Sequence, residues 1–163
     1  MHAIAQAASG QQDTTSCRRF VQDFYDWYVP FTQTTMNGRP SDIALKRKAD
    51  LFNPDLVRAL KNDSEAQARA KGELVGIDFD PFAGGDPADH YEARSVTWHA
   101  ETCSVEVWRA SPRDTAAKTG KPEVVAEVTL VHGHWEFRNF RYPDLGSDLL
   151  NVLATLREER RKH

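Results

Sequence analysis

The chain predicts an α+β fold: N-terminal helices packed on a curved four-stranded antiparallel sheet, followed by a C-terminal helix. Three observations predict it. Apolar residues recur at helical spacing near the start and the end of the chain, and they alternate with period two through Tyr91–Tyr142. Two short turns divide that alternating stretch into two hairpins. Nothing in the composition breaks the chain into parts, so residues 14–163 read as a single domain behind a disordered segment, 1–13, with no structure signal.

The bounds are simple. The chain has 163 residues, with 21 basic and 24 acidic side chains and a formal net charge of -3. That balance offers no basic field for nucleic acid. No apolar run approaches membrane-spanning length, so no membrane span is expected. Ala5-Gln6-Ala7 is compatible with the tail of a trimmed export signal, or equally with a plain flexible start.

The first helix runs from Thr14 to Val29. Cys17, Phe20, Val21, Phe24, Trp27 and Tyr28 form one wide apolar stripe, with Arg18, Arg19, Gln22, Asp23 and Asp26 on the solvent side. Pro30 ends it. Ser41 is placed to cap a short helix through Leu51. Asn53-Pro54 starts the next, to about Lys71, because asparagine caps with its side-chain oxygen and proline fits the first helical position. Cys17 and Cys103 both fall on apolar faces. Two core thiols are the simpler reading, since buried cysteine packs as a small hydrophobe, and one disulfide is the alternative.

GIDFDPFAGGDPADHY, from Gly76 to Tyr91, carries Asp78, Asp80, Asp86 and Asp89. As a calcium loop it fails on spacing, with Phe82 at a ligand position and Ala83 where glycine is needed. Asp80-Pro81 and Asp86-Pro87 read better as turns in which aspartate bonds local amides, with Phe79 and Phe82 as anchors. No metal site and no cofactor are expected.

In the first hairpin a turn at Glu101-Thr102 sets Ala100 by Cys103, Trp98 by Val105 and Val96 by Val107. In the second, His132-Gly133 makes a two-residue turn and sets Leu130 opposite Trp135 and Val128 opposite Phe137. Glu127 is then set opposite Arg138. The apolar residues skip after Phe137, so one extra residue near Arg138-Asn139, a β-bulge, brings Phe140 opposite Ala126 and Tyr142 opposite Val124. The polar connection between the hairpins, 111–122, is expected to project into solvent. Ser147 is placed to cap a last helix carrying Leu149, Leu150, Leu153 and Leu156, and its basic end, REERRKH, is expected to be solvated.

FYDWYVP, IDFDPFAGGDP and HWEFRNFRYPD resemble an uncharacterised bacterial group, domain-of-unknown-function family 3828, which includes YbjP- and YqhG-type envelope proteins. The resemblance covers Ser16 to Leu156. It implies the nuclear-transport-factor-2-like (cystatin-like) cone, and an exported protein, periplasmic or secreted, with a cytoplasmic one as the alternative. That superfamily hosts isomerases, cyclases, adaptors and toxin-immunity proteins, so fold alone does not settle function.

Two functions compete. A small-molecule isomerase or cyclase would need a carboxylate base beside phenol donors in the cone, with Tyr25 or Tyr28 and Asp78 or Asp26 as candidates. Tyr28, Trp98 and Trp135 would line its cavity. The favoured reading is non-catalytic binding of a protein partner, an envelope component or a secreted toxin to which the chain confers immunity. Its expected surface is the open sheet face, with His99, Glu106, Trp108, Val125, Thr129 and Glu136 mixed as in protein interfaces, and a homodimer through the same face is the other possibility.

Overall fold

The computed structural model describes residues 3–34, 38–110 and 120–163, with side chains from residue 13 onward; most of the connection at 111–122 lies outside them. Four helices are present: α1 (Ala3–Thr32), α2 (Pro40–Arg47), α3 (Pro54–Arg69) and α4 (Leu149–Arg161). The strands are β1 (Tyr91–His99), β2 (Thr102–Arg109), β3 (Val124–Val131), β4 (His134–Tyr142) and β5 (Ser147–Asp148). They form one antiparallel sheet in the order β1-β2-β3-β4-β5, one strand more than expected.

α1 buries Cys17, Val21, Phe24 and Tyr28, the expected stripe, and adds Tyr25. It differs from expectation at both ends. Its backbone runs back to Ala3, through a stretch expected to be disordered. Pro30 lies inside the last turn rather than ending it, and Thr32 donates its hydroxyl to the Val29 carbonyl (2.7 Å).

α1 lies along β1 and β2. Gln22, expected to face solvent, accepts at its Oε1 from the Ala93 amide (2.8 Å) and donates from Nε2 to the Tyr91 carbonyl (2.9 Å). Its carboxamide takes the place of a neighbouring strand's peptide and blunts that part of the sheet edge. Cys17 and Cys103 form a disulfide, the alternative left open above, which ties α1 to β2.

Ser41 does not cap α2. Pro40 occupies the first turn after Arg39, Ser41 is buried, and the chain breaks after Arg47 into a separate 3₁₀ turn at Ala49–Leu51. Asn53 caps α3 as predicted, its Oδ1 accepting from the Asp55 amide (3.0 Å). The cap of α4 is Asp148, not Ser147, because Ser147–Asp148 forms β5 against Arg141 and Tyr142.

The β3–β4 hairpin keeps the predicted register on both sides of its bulge: Leu130 faces Trp135, Val128 faces Phe137, and Ala126 faces Phe140. The bulge carries Arg138 out of register, so Glu127 pairs instead with Arg141 (2.7 Å). The β1–β2 turn is Ala100-Glu101, one residue earlier than expected, and Trp98 faces Cys103. Ala100 sits at φ 53°, a conformation that alanine adopts at a cost of about 1 kcal/mol. A second bulge between Ala93 and Val96 restores the inward face.

The core fills the space between the inner sheet face and the helices. Phe24 is its centre, with the rings of Tyr25, Tyr28, Phe52, Phe82 and Phe137 between 4.9 and 5.6 Å away. Trp27, expected against the sheet, instead packs on Phe31 with the Lys48 ammonium over its ring. Leu150, predicted to be inward on α4, is exposed.

Arg160 corrects the reading of a solvated C-terminus. It reaches the buried Asp63 carboxylate (2.8 Å) and the Val75 carbonyl (2.9 Å), while Asp63 Oδ2 accepts from the Ile77 amide (2.9 Å). This latch joins α3, α4 and the chain leading into the sheet. Asp63→Asn is expected to destabilise the fold by about 1–3 kcal/mol, since it weakens two bonds to a buried acceptor. Urea titration would show it, and an unchanged midpoint would mean that the latch is idle.

Candidate binding surfaces

The aspartate-rich loop is built from inside by tyrosine. The chain has four tyrosines, and all four are buried around residues 80–88. Tyr28 donates to Asp80 Oδ2 (2.6 Å), Tyr142 to the Pro81 carbonyl (2.6 Å) and Tyr25 to the Phe82 carbonyl (2.6 Å). Tyr91 accepts from the Ala88 amide (2.8 Å). Asp80 Oδ1 closes the turn on the amides of Phe82 (2.9 Å) and Ala83 (3.1 Å), as its sequence predicted. Phe82 is fully buried and Phe79 packs edge-on against Tyr142. Arg109, which also pairs with Glu123, donates to the Asp86 carbonyl. The loop is therefore rigid for a reason that can be named.

Its electrostatics follow from burial. Desolvation raises the Asp80 carboxyl above the usual carboxylate value, against the lowering by bonds from Tyr28 and two amides. Burial, first, and the Asp80 charge push the Tyr28 phenol well above its ordinary value. Burial likewise raises Tyr25 and Tyr142, and pushes Tyr91 up to about 12. These phenols keep their protons in the folded chain and lose them near 10 in the unfolded one. Their contribution to stability is thus fully present below about pH 10 and is lost as pH rises through the folded values. Absorbance titration should show almost no tyrosinate at about pH 11 while the fold persists, then its appearance together with unfolding. Ordinary titration of even one phenol in the folded protein would contradict this packing.

Beside the loop lies an open cleft of about 560 Å³, lined by Thr32, Arg39, Asp78, Phe79, Asp80 and Asp86 among others. Among the described residues, no group of three or more His, Cys, Asp or Glu side chains is placed to hold a metal ion. The predicted cavity residues do not converge. Tyr28 is buried against the loop, whereas Trp98 and Trp135 stand together near the far end of the sheet, their rings 6.1 Å apart. Their indoles donate to Thr14 Oγ1 (3.0 Å) and Ser16 Oγ (2.6 Å) on α1. Trp98 and Leu130, expected in the core, are 40% and 50% exposed. The carboxylate that meets Tyr28 is Asp80, not Asp78 or Asp26; Asp26 instead accepts from Gln22 on the outside of α1.

The outward sheet face divides in two. His99, Thr102, Thr129 and Glu136 form one row across four strands, and Glu106 and Val125 lie in another. His99 is exposed, and Glu106 and Trp108 are half-buried. Val125, Thr129 and Glu136, expected to be open, are each only 7% exposed. Val125 and Thr129 sit on an interior strand, Val125 between the longer Glu106 and Arg141 and Thr129 between Thr102 and Glu136, and Glu136 accepts from Asn53 Nδ2 (3.1 Å) at the start of α3. The accessible part is therefore the β1–β2 side. There the Arg94 guanidinium lies over the Trp108 ring (5.0 Å), held by Glu92 (3.2 Å), while the Trp108 indole donates to Glu106 (3.0 Å). Arg94 was not singled out from the sequence. A bulge sets its direction, and alternation carries no signal there.

No protein-family model and no curated protein matches the chain. The resemblance to family 3828 rests on the quoted sequence words. The chain does resemble a solved structure: a chain in the crystal structure of the type VI native effector-immunity complex Tae3-Tai3 from Ralstonia pickettii. The TM-score is 0.52 at 18% identity, over 77% of this chain and 93% of that one. The likeness is one of fold. Among the described residues, no helix is long and apolar enough to cross a membrane.

Proposed function

We propose that this chain is a non-catalytic immunity-type inhibitor that binds a secreted toxin in the bacterial envelope. The observation that carries the reading is the fold shared with a chain of an effector-immunity complex. Two features support it. The aspartate loop is fixed by phenols and the Trp108–Arg94 stack is fixed by carboxylates, so both surfaces are ordered before binding, which lowers the entropic cost of association. The buried Cys17–Cys103 disulfide suits an oxidising compartment such as the periplasm. The test is co-expression with a candidate exported effector drawn from the genes neighbouring this one, both directed to the periplasm. Survival of the cells, with a co-purifying complex, is the expected result. Lysis despite abundant folded inhibitor would overturn the reading.

One observation favours a second reading, a small-molecule enzyme: Tyr28 and Asp80 meet at the wall of the cleft. The pair is poorly suited to proton transfer, because Asp80 already accepts three hydrogen bonds and Tyr28 holds its proton tightly. A Tyr28→Phe variant that lost a turnover activity while keeping its fold would establish this second reading.

A further inference from the structure

We infer that the toxin docks on the Trp108 end of the outward sheet face, with the stacked Trp108 and Arg94 as its anchor and the exposed edge of the aspartate loop as its rim. This rests on the inhibitor reading above. Tryptophan and arginine dominate the energetics of protein interfaces when they sit in ordered, desolvated positions. Here the ordering is already done. Arg94 commits Nε and Nη2 to Glu92 Oε2, and the Trp108 indole N–H is committed to Glu106 Oε2. The polar edges are thus occupied, and the face of the guanidinium turned away from the ring is left for contact.

Charge and area specify the partner. The Glu92–Arg94 and Glu127–Arg141 pairs neutralise the face in place, so it has no field to attract a polyanion. The Ala110 amide donates to the His90 carbonyl, which joins the end of β2 to the loop beside exposed Asp89, so a carboxylate borders this end of the face. The complement is a protein surface with an apolar or aromatic centre and basic side chains along one side. The accessible β1–β2 side, two strands about 4.8 Å apart and eight residues long, gives a face of roughly 250 Å², well short of the roughly 800 Å² per partner in a stable interface. Two copies packed face to face on it would fall below that range. A toxin approaches the standard size by covering the loop rim and the surface beyond it.

Isothermal titration against that candidate effector, purified and catalytically inactivated, tests the inference. Trp108→Glu and Arg94→Ala, each confirmed folded by circular dichroism and melting, should weaken binding at least about 30-fold. Asp89→Lys should weaken it about two- to three-fold, mostly in the association rate and mostly at low salt. Trp98→Ala, at the other end of the sheet, should bind like the wild type. Wild-type affinity in folded Trp108→Glu, or loss confined to Trp98→Ala, overturns this docking site and leaves the inhibitor reading standing. Failure of the wild type to bind the effector overturns both.

Discussion

Reduction of the Cys17–Cys103 disulfide is expected to lower the unfolding free energy by about 4–5 kcal/mol. The two residues are 86 apart in sequence, so the cross-link removes a long loop's freedom from the unfolded chain. The effect acts mainly on that state, and the folded contacts of α1 remain. Chemical denaturation with and without reductant measures it. The reduced protein should also show a steeper dependence on denaturant, because its unfolded chain exposes more surface. A loss below about 1 kcal/mol would mean that the unfolded chain stays compact around these residues without the bond.

Phe24→Ala is expected to cost about 3–5 kcal/mol. Phe24 is 2% exposed and its ring touches partners from four parts of the chain: α1 itself, Phe52 before α3, Phe82 in the loop and Phe137 on β4. Rings fixed by their own neighbours cannot collapse into the space, so the cavity persists and its cost adds to the lost transfer energy. The same denaturation experiment reads it. A cost under about 1 kcal/mol would place α1 outside the core. Phe24 lies two turns of helix beyond Cys17, and the two changes share few contacts. Their effects should therefore add in a variant carrying both.

The tyrosine-fastened loop bears on function through these same contacts. On the inhibitor reading proposed above, a loop anchored to the core loses its shape only when the core opens, so Phe24→Ala should weaken the proposed toxin binding only in proportion to the unfolded fraction. Trp108→Glu, in contrast, should lower affinity by more than any loss of stability that melting reports. Comparing the two separates the scaffold from the surface.

What the sequence by itself determined is local. The spacing of Cys17, Val21, Phe24 and Tyr28 defines one helix face, because neighbours three and four residues apart must share a side. His132-Gly133 supplies two positive φ angles and so defines the β3–β4 turn, and the skipped apolar residue after Phe137 marks the bulge. The β1–β2 register was not legible in this way, since Ala100 takes a positive φ that nothing in its chemistry announces. The exposure of Trp98 was equally hidden: alternation assigns a side chain to a face, but not how far the opposing helix covers that face.

Tertiary structure alone decided the rest. Tyr28, Tyr25 and Tyr142 find their acceptors 52, 57 and 61 residues away, and Arg160 finds Asp63 at 97. A hydroxyl or a guanidinium takes whichever acceptor the folded chain brings within reach. The sequence neighbours of the tyrosines say only that they are buried and those of Arg160 point to solvent, while burial without a partner is a cost that any of several acceptors could remove.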